Sequence, residues 1–256
     1  MARIRSDTYE TPAAQNTAEG SRTVSNISDR SPALPSRFKR VLQRTVHLIS
    51  YYLNKRRVTT VSSVAGFRLF VPPTVFHPRY FLTSKFFAEF IGTLDLSSKR
   101  VADVGTGTGI LALAAARAGA ANVVALDINP AAARSAAENA RANGLADCVM
   151  AVCSDLLSAI APCALFDVIL ANPPDLPDEP IDVADRGFCA GPECRDVASL
   201  FDQARERLAL DGRMYVLLSP GSHLEELLDQ APFRIRLVQE RSHLVESVLI
   251  YELTHA

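Results

Sequence analysis

No apolar run in these 256 residues approaches the ~20 that a membrane span needs. The N-terminus has no apolar core of the kind that marks a secretory leader. Cysteine is scarce and odd in number: Cys148, Cys153, Cys163, Cys189 and Cys194. Five thiols in a chain this long make no disulfide framework, so a reducing, cytoplasmic setting is expected. Cys189 and Cys194 form a C-x4-C pair with no second pair nearby. A structural zinc site needs about four ligands, so no metal site is expected. No internal repeat is present.

What is present is an ordinary globular composition, 48% hydrophobic and 21% charged, with 27 Lys+Arg against 28 Asp+Glu. The length suffices for a sizeable core in one large domain or two small ones. The net charge of −1 hides an asymmetry. Residues 1–36 hold four basic and four acidic side chains, many Ser and Thr, and few large apolar residues. Such a segment buries too little to offset its ordering entropy and is expected to be a disordered tail. Its acids Asp7, Glu10, Glu19 and Asp29 argue against a transit peptide. Residues 37–57 carry seven basic residues and no acid; residues 58–256 carry 16 basic and 24 acidic residues, a net of −8. An acidic main domain lacks the positive potential a nucleic-acid enzyme needs around its cleft, so nucleic acid is not the expected partner.

The basic segment reads as a helix with one apolar face: Phe38, Val41, Leu42, Thr45, Ile49, Tyr52 and Leu53 recur at three- and four-residue spacing. It suits either contact with RNA, an anionic lipid surface or an acidic partner, or packing of its apolar stripe on the acidic domain with the basic face in water. The second is favoured. His47 is expected to be a surface histidine.

From residue 58 the period changes. Val58–Val64 and Phe67–Val71 read as a short β-hairpin around Ala65-Gly66. A Pro-rich stretch, 71–79, leads to an aromatic-rich helix over 79–93. Strands are then expected at 100–104, 122–126, 147–152, 165–171 and 213–219. Helices are expected at 108–118, 130–143, 195–208 and 222–230. Asn129 is a good N-cap with Pro130 at the first helical position. Two closing strands, 233–240 and 245–253, leave no room for a helix between them. Alternating βα units predict an α/β fold: a mostly parallel seven-stranded sheet with helices on both faces and a C-terminal antiparallel hairpin. The N-terminal helix and short hairpin precede it.

The first βα turn reads Val101-Ala102-Asp103-Val104-Gly105-Thr106-Gly107-Thr108-Gly109. Glycines between strand and helix let a ligand approach the backbone and meet free N–H groups. Asp127 closes the next strand, where a carboxylate can accept both hydroxyls of a ribose, with Ile128 beside it. Asp155, followed by Leu156, closes the third, beside the expected adenine edge. Successive strand ends face one crevice. A dinucleotide wants G-x-G-x-x-G, but Ile110 takes the sixth position here. Asp103 sits badly beside a pyrophosphate and well beside the cationic amino-acid end of S-adenosylmethionine, the preferred cofactor.

After the fourth strand comes Asn172-Pro173-Pro174-Asp175. Two prolines fix the backbone and remove two donors. What remains is a rigid cup of acceptors, the Asn172 side-chain oxygen and the Pro173 carbonyl. Such a cup holds a substrate N–H and aims the nitrogen lone pair at an electrophile. Asn172, Pro173 and Pro174 are therefore the catalytic candidates. Phe76, His77 and Asp175 are the substrate candidates; His77 suits proton abstraction or a structural hydrogen bond. The loop 175–197 is expected to cover the substrate, with Asp178, Glu179, Asp182 and Asp185 attracting a cation or solvated. His223 and His243 carry no assigned role.

VFHPR at 75–79, VADVGTGTG at 101–109, ALDIN at 125–129, CSDLL at 153–157 and ANPPD at 171–175 together resemble the class I S-adenosylmethionine-dependent methyltransferases. Within them the chain resembles the N-P-P branch, that of the HemK-like glutamine methyltransferases and small-domain methyltransferases, over residues ~64–256. The resemblance implies a Rossmann-like fold. It also implies that Asp103–Gly109 holds the methionine part, Asp127 the ribose, Asp155-Leu156 the adenine and Asn172 the substrate nitrogen, beside the cofactor. It divides the chain into a tail (1–36), a basic helix, hairpin and cap helix (37–98), and a cofactor-binding domain (99–256). One position departs from the family pattern: Asp175 stands where glutamine and base methyltransferases have Tyr or Phe. A carboxylate there suits a cationic or polar amine, or simply faces solvent. The expected activity is methyl transfer to a nitrogen of a small amine, amino acid or protein side chain. The alternatives are a HemK-like glutamine N5-methyltransferase, an S-adenosylmethionine enzyme of another displacement, and a non-catalytic binding module. The N-terminal extension is too short for the separate helical recognition domain of the release-factor enzymes.

Overall fold

The structure, a computed structural model, describes residues 36–56, 58–78, 82–220, 223–242 and 247–256. The tail expected over 1–36 lies outside these residues except for Ser36. Tyr80, Phe81 and His243, and the side chains of Phe38, Val41, Leu42 and His223, also lie outside them.

Helix α1 (Ser36–Arg56) precedes a hairpin of β1 (Thr60–Val64) and β2 (Phe67–Val71), then α2 (Leu82–Ile91). Ala65 and Gly66 make the hairpin turn at φ 49 and 77°. The main domain runs β3 (Arg100–Val104), α3 (Ile110–Arg117), β4 (Asn122–Asp127), α4 (Pro130–Ala142), β5 (Val149–Cys153) and β6 (Phe166–Ala171). It continues with α5 (Arg195–Arg207), β7 (Leu208–Leu218), α6 (His223–Gln230), β8 (Phe233–Ser242) and β9 (Ser247–His255). The sheet order is β5-β4-β3-β6-β7-β9-β8. The first five of these strands are parallel, and β9 is antiparallel to both neighbours. The chain therefore starts in mid-sheet and reverses direction beside β3, which opens a crevice at the strand C-termini between β3 and β6.

Strand alternation fills two cores. Val101, Val168, Leu170, Tyr215, Leu217 and Ile250 point to the face covered by α2, α3 and α4. Ala102, Val104, Ile169, Ala171, Met214, Val216 and Tyr251 point to the face covered by α5 and α6. The period-2 side-chain alternation of a sheet buried on both faces explains the near-continuous apolar strands. Strand β7 begins earlier than expected, at Leu208, because Leu208 pairs with Phe166 across a register shift.

Two features correct the sequence reading. Among the described side chains of α1, polar ones meet the domain: Arg44 reaches Asp178 at 2.6 Å, His47 reaches Asp185 at 2.6 Å, and Tyr51 and Lys55 reach Asp182 at 2.9 and 2.7 Å. These residues recur at helical spacing, so charge complementarity with the acidic loop decides which face turns inward. The stripe of Ile49, Tyr52 and Leu53 stays more than half exposed. His47 is accordingly buried, not a surface histidine.

Helix α4 starts as its sequence signals require. The Asn129 side chain accepts from Ala131 N–H at 2.9 Å, Pro130 follows, and Gly144 at φ 70° comes just after the helix. Its polar stripe anchors the hairpin. Asn139 accepts from Phe70 N–H at 2.7 Å, Ser135 donates to Phe70 O at 2.8 Å, and Asn143 pairs both ways with the Arg68 backbone.

Candidate active site

The glycine turn leaves β3 with Gly105, Gly107 and Gly109 at φ 72, 56 and 83°, a region that costs other residues steric strain. Gly105 and Thr106 N–H both donate to Leu126 O at 2.9 Å, which ties the turn to β4. A Cβ on Gly105 or Gly107 would meet open space, whereas one on Gly109 would sit 3.0 Å from Ala136. The first two glycines thus line the crevice and the third lets α3 approach α4. Asn139, fully buried, donates to Thr108 O at 2.9 Å and holds the turn from behind.

Asp103 lies beneath this turn with no exposed surface. Its Oδ2 accepts from Thr106 Oγ1 at 2.6 Å and Ala112 N–H at 3.0 Å. Its Oδ1 is buried without a hydrogen-bond partner among the described residues. Burial pushes the Asp103 carboxyl up to about 7, against the lowering effect of its two hydrogen bonds. A cation at the turn would relieve that cost.

Asp127, at the end of β4, accepts from Gly107 N–H at 2.8 Å and Asn129 N–H at 2.9 Å. Burial raises its pKa, and those two N–H bonds oppose the rise. Asn129 Nδ2 donates to Thr74 O at 3.0 Å, so the loop after the hairpin closes over this corner. Ile128 is half-buried beside it. Asp155 is exposed after β5, and Leu156 follows at φ 50°.

Asn172, Pro173, Pro174 and Asp175 are half-buried after β6. Asn172 Nδ2 points to Ser84 Oγ on α2 at 3.5 Å. Phe76 is half-buried and packs on Phe188, with ring centroids 5.4 Å apart. His77 is buried against β1, its Nε2 3.1 Å from Thr60 Oγ1 and 3.3 Å from Ser62 Oγ. That is the structural hydrogen-bonding arrangement of the two its position allowed.

The loop after the Asn-Pro-Pro turn is more ordered than its prolines and glycines suggest. Leu176 bridges to Cys189, and turns of 3-10 helix form at Asp185–Gly187 and Pro192–Cys194. Its acids are not a solvated set: Asp178, Asp182 and Asp185 pair with α1, and Glu179 with Arg195 at 2.8 Å. Asp175 is near enough to raise the Cys194 thiol, which burial pushes up to about 11. The sequence reading did not single out Asn139 or Ser84. The stripe Ser135-Asn139-Asn143, four apart in an alanine-rich helix, was the available signal for Asn139.

The strand order, the glycine turn and the acids closing β3, β4 and β5 define a nucleoside-binding α/β domain of the class I methyltransferase type. The comparisons agree. The family of ribosomal protein L11 methyltransferases (PrmA) matches residues 82–173. A ribosomal protein L11 methyltransferase of Deinococcus radiodurans is 49% identical over 74 residues, 29% of this chain and 27% of that protein. A putative protein N5-glutamine methyltransferase of Methanocaldococcus jannaschii is 33% identical over 145 residues, 55% of this chain and 70% of that one. Among solved structures, a ribosomal protein L11 methylase from Lactobacillus delbrueckii subsp. bulgaricus aligns with TM-score 0.53 at 25% identity, covering 72% of this chain and 84% of its own. A T. thermophilus 16S rRNA methyltransferase in complex with AdoMet and guanosine aligns with TM-score 0.58 at 22% identity, covering 77% and 50%, and shares the fold. The chain belongs to the class I S-adenosylmethionine-dependent methyltransferases. It spans about a quarter of the length of the Deinococcus relative.

The residues fit the family's cofactor. Two glycines leave room where a Cβ would intrude, and a buried carboxylate oxygen lacks a donor among the described residues. No described helix is long and apolar enough to cross a membrane.

Proposed function

We propose that this chain transfers a methyl group from S-adenosylmethionine to a nitrogen, that of a protein side chain or a small amine. The observation that carries this reading is the Asn172-Pro173-Pro174 turn beside the glycine turn. Val104 and Ala171 are register partners in β3 and β6, so the two turns leave the sheet side by side.

In this reading the glycine turn and Asp103 take the methionine end, Asp127 and Ile128 the ribose, and Asp155 and Leu156 the adenine. When bound, the cofactor supplies a methyl group on a positively charged sulfur. The protein's part is positioning, which can supply ~7–11 kcal/mol when reacting atoms are aligned. Asn172 Nδ2 is directed at Ser84, which turns Oδ1 to accept an N–H from the acceptor. Pro173 contributes a second carbonyl. These acceptors aim the nitrogen lone pair along the displacement axis and stabilise the positive charge that grows on it. Asp175 draws a cationic amine or takes its proton. Phe76, packed on Phe188, forms part of the acceptor wall. Protein acceptors are supported by relatives named for ribosomal protein L11 and for protein glutamine.

A second reading, methylation of a glutamine side chain, is favoured by the 33% identity to the archaeal protein. Against it stands Asp175 in place of a planar-packing aromatic. One experiment tests both: isotope transfer from methyl-labelled S-adenosylmethionine into a cell extract, with Asn172→Ala as control. The extract is separated into protein, nucleic-acid and small-molecule fractions. Label in protein or small amines, lost in the variant, supports nitrogen methylation. Acid hydrolysis of labelled protein then separates the readings: methylated glutamine releases methylamine, whereas a methylated amine stays on its amino acid. Label confined to nucleic acid refutes both.

A further inference from the structure

We propose that His47, Asp185 and Cys189 form a site for a zinc-class divalent cation that fastens α1 to the loop following the Asn-Pro-Pro turn. Among the described residues this is the group of three ligating side chains whose donor atoms converge: His Nε2, a carboxylate oxygen and a thiol sulfur, all within 4.8 Å of one another. His47 Nε2 lies 2.6 Å from Asp185 Oδ1 and 3.7 Å from Cys189 Sγ. Tetrahedral zinc with bonds of ~2.0–2.3 Å separates its ligand atoms by roughly 3.3–3.8 Å. Sub-ångström widening of the His–Asp spacing, in a group whose donor atoms already lie within 4.8 Å of one another, therefore closes the site.

The local fold builds this convergence. Asp185 and Cys189 are four residues apart on one turn, with Cys189 N–H donating to Asp185 O at 3.0 Å, so their side chains share a side. Asp185 Oδ2 accepts from Ile181 N–H at 2.9 Å, which directs Oδ1 at His47. Phe188 packs on the imidazole with centroids 5.4 Å apart, and Phe76 packs on Phe188. Ligands held by outer partners in this way are characteristic of metal sites.

Charge and donor chemistry choose the ion. His47, Asp185 and Cys189 are all buried, Asp185 completely. A divalent cation with one carboxylate and one thiolate sums to zero. Mixed nitrogen, oxygen and sulfur donors suit zinc and exclude magnesium and calcium, which take oxygen. On binding, the Cys189 thiol gives its proton to solvent. The proton held in the 2.6 Å contact between His47 Nε2 and Asp185 Oδ1 leaves it, to Nδ1 or to solvent, so that Nε2 and the carboxylate oxygen both face the ion. The fourth tetrahedral position goes to a water oxygen. The sequence reading weighed Cys189 only with Cys194, whereas His47 lies 142 residues away. This proposal holds whatever the methyl acceptor proves to be.

The test uses the full chain without an affinity tag, in a Cys153→Ser/Cys163→Ser background that removes the two exposed thiols. The protein is stripped with chelator, supplied with zinc, desalted and assayed for metal by mass spectrometry. The expected result is one zinc per chain, with net proton release in calorimetric titrations run in two buffers. Cobalt loading should give a thiolate-to-metal charge-transfer band. Cys189→Ser should lose the band, and both Cys189→Ser and His47→Gln should lose the retained metal. Metal far below one per chain in the parent protein overturns the proposal, and that measurement does not depend on the variants folding. Undiminished metal in folded Cys189→Ser overturns it equally.

Discussion

Val104 and Ala171 sit opposite each other in the parallel pair of β3 and β6, at the point where the sheet reverses direction. Gly105 and Asn172 are the next residues of each strand. One pairing in the middle of the sheet thus brings the glycine turn and the Asn-Pro-Pro turn together. Asn172 is half-buried, its Nδ2 3.5 Å from Ser84 Oγ. Asn172→Ala is therefore expected to remove methyl transfer while leaving the fold and cofactor affinity nearly unchanged. Losing an interaction made in the transition state lowers kcat and kcat/KM together. Single-turnover rates beside calorimetric cofactor affinity make the check, and a fully active variant refutes the nitrogen clamp.

Two glycines of the turn, Gly105 and Gly109, should respond differently to the same methyl group. Gly105→Ala and Gly109→Ala both strain a positive φ. At Gly105 the added Cβ enters open crevice; at Gly109 it meets the Ala136 backbone at 3.0 Å. Gly105→Ala should weaken cofactor binding with a small loss of stability, of order 1 kcal/mol. Gly109→Ala should destabilise the fold by ~1–3 kcal/mol through overpacking. Urea midpoints and cofactor affinities of the two variants distinguish these outcomes.

The alternation of apolar strands and capped helices made the α/β order legible in the sequence. Asn129-Pro130 and the glycines mark boundaries by chemistry that acts within a few residues. The crevice residues were equally readable, because strand ends in such a sheet share one edge. Long-range pairing was not readable. The acids Asp178, Asp182 and Asp185 look like solvated charges until α1 is laid against them. The apolar stripe of Ile49, Tyr52 and Leu53 looks like the packing face for the same reason. Periodicity says that a face exists; it does not say that a polar face at Arg44, His47, Tyr51 and Lys55 will find the better partner.

Asn139 is expected to matter for stability more than its polar type suggests. Its amide serves Phe70 N–H, Phe70 O and Thr108 O, at 2.7, 3.1 and 2.9 Å. The side chain thus joins the N-terminal hairpin to the glycine turn across α4. Asn139→Ala removes this partner from Phe70 N–H and Thr108 O, each at a cost of about 1–3 kcal/mol where the group stays out of water, while Phe70 O keeps Ser135. The variant should show a lower urea midpoint, and faster hydrogen exchange over both 67–71 and 105–109. Fast exchange confined to the hairpin would show that Thr108 does not depend on this bond.

Asp103 gives the apoprotein a pH dependence with a definite sign. Its carboxyl is raised from an ordinary 3.8 to about 7 by burial. Between those values the folded chain keeps a proton that the unfolded chain has released. The stability contributed by the protonated form is therefore complete below about pH 4 and is lost as pH rises toward 7. The whole effect is on the order of 4 kcal/mol at 1.36 kcal/mol per pKa unit. Urea midpoints of the apoprotein should fall across that window, and Asp103→Asn should flatten the profile. The cofactor's cationic end would hold the carboxyl in its charged form. Cofactor binding near pH 6.5 should therefore release protons, seen as a dependence of the binding heat on buffer ionisation. That dependence should vanish in Asp103→Asn, and its persistence there would place the titrating group elsewhere in the crevice.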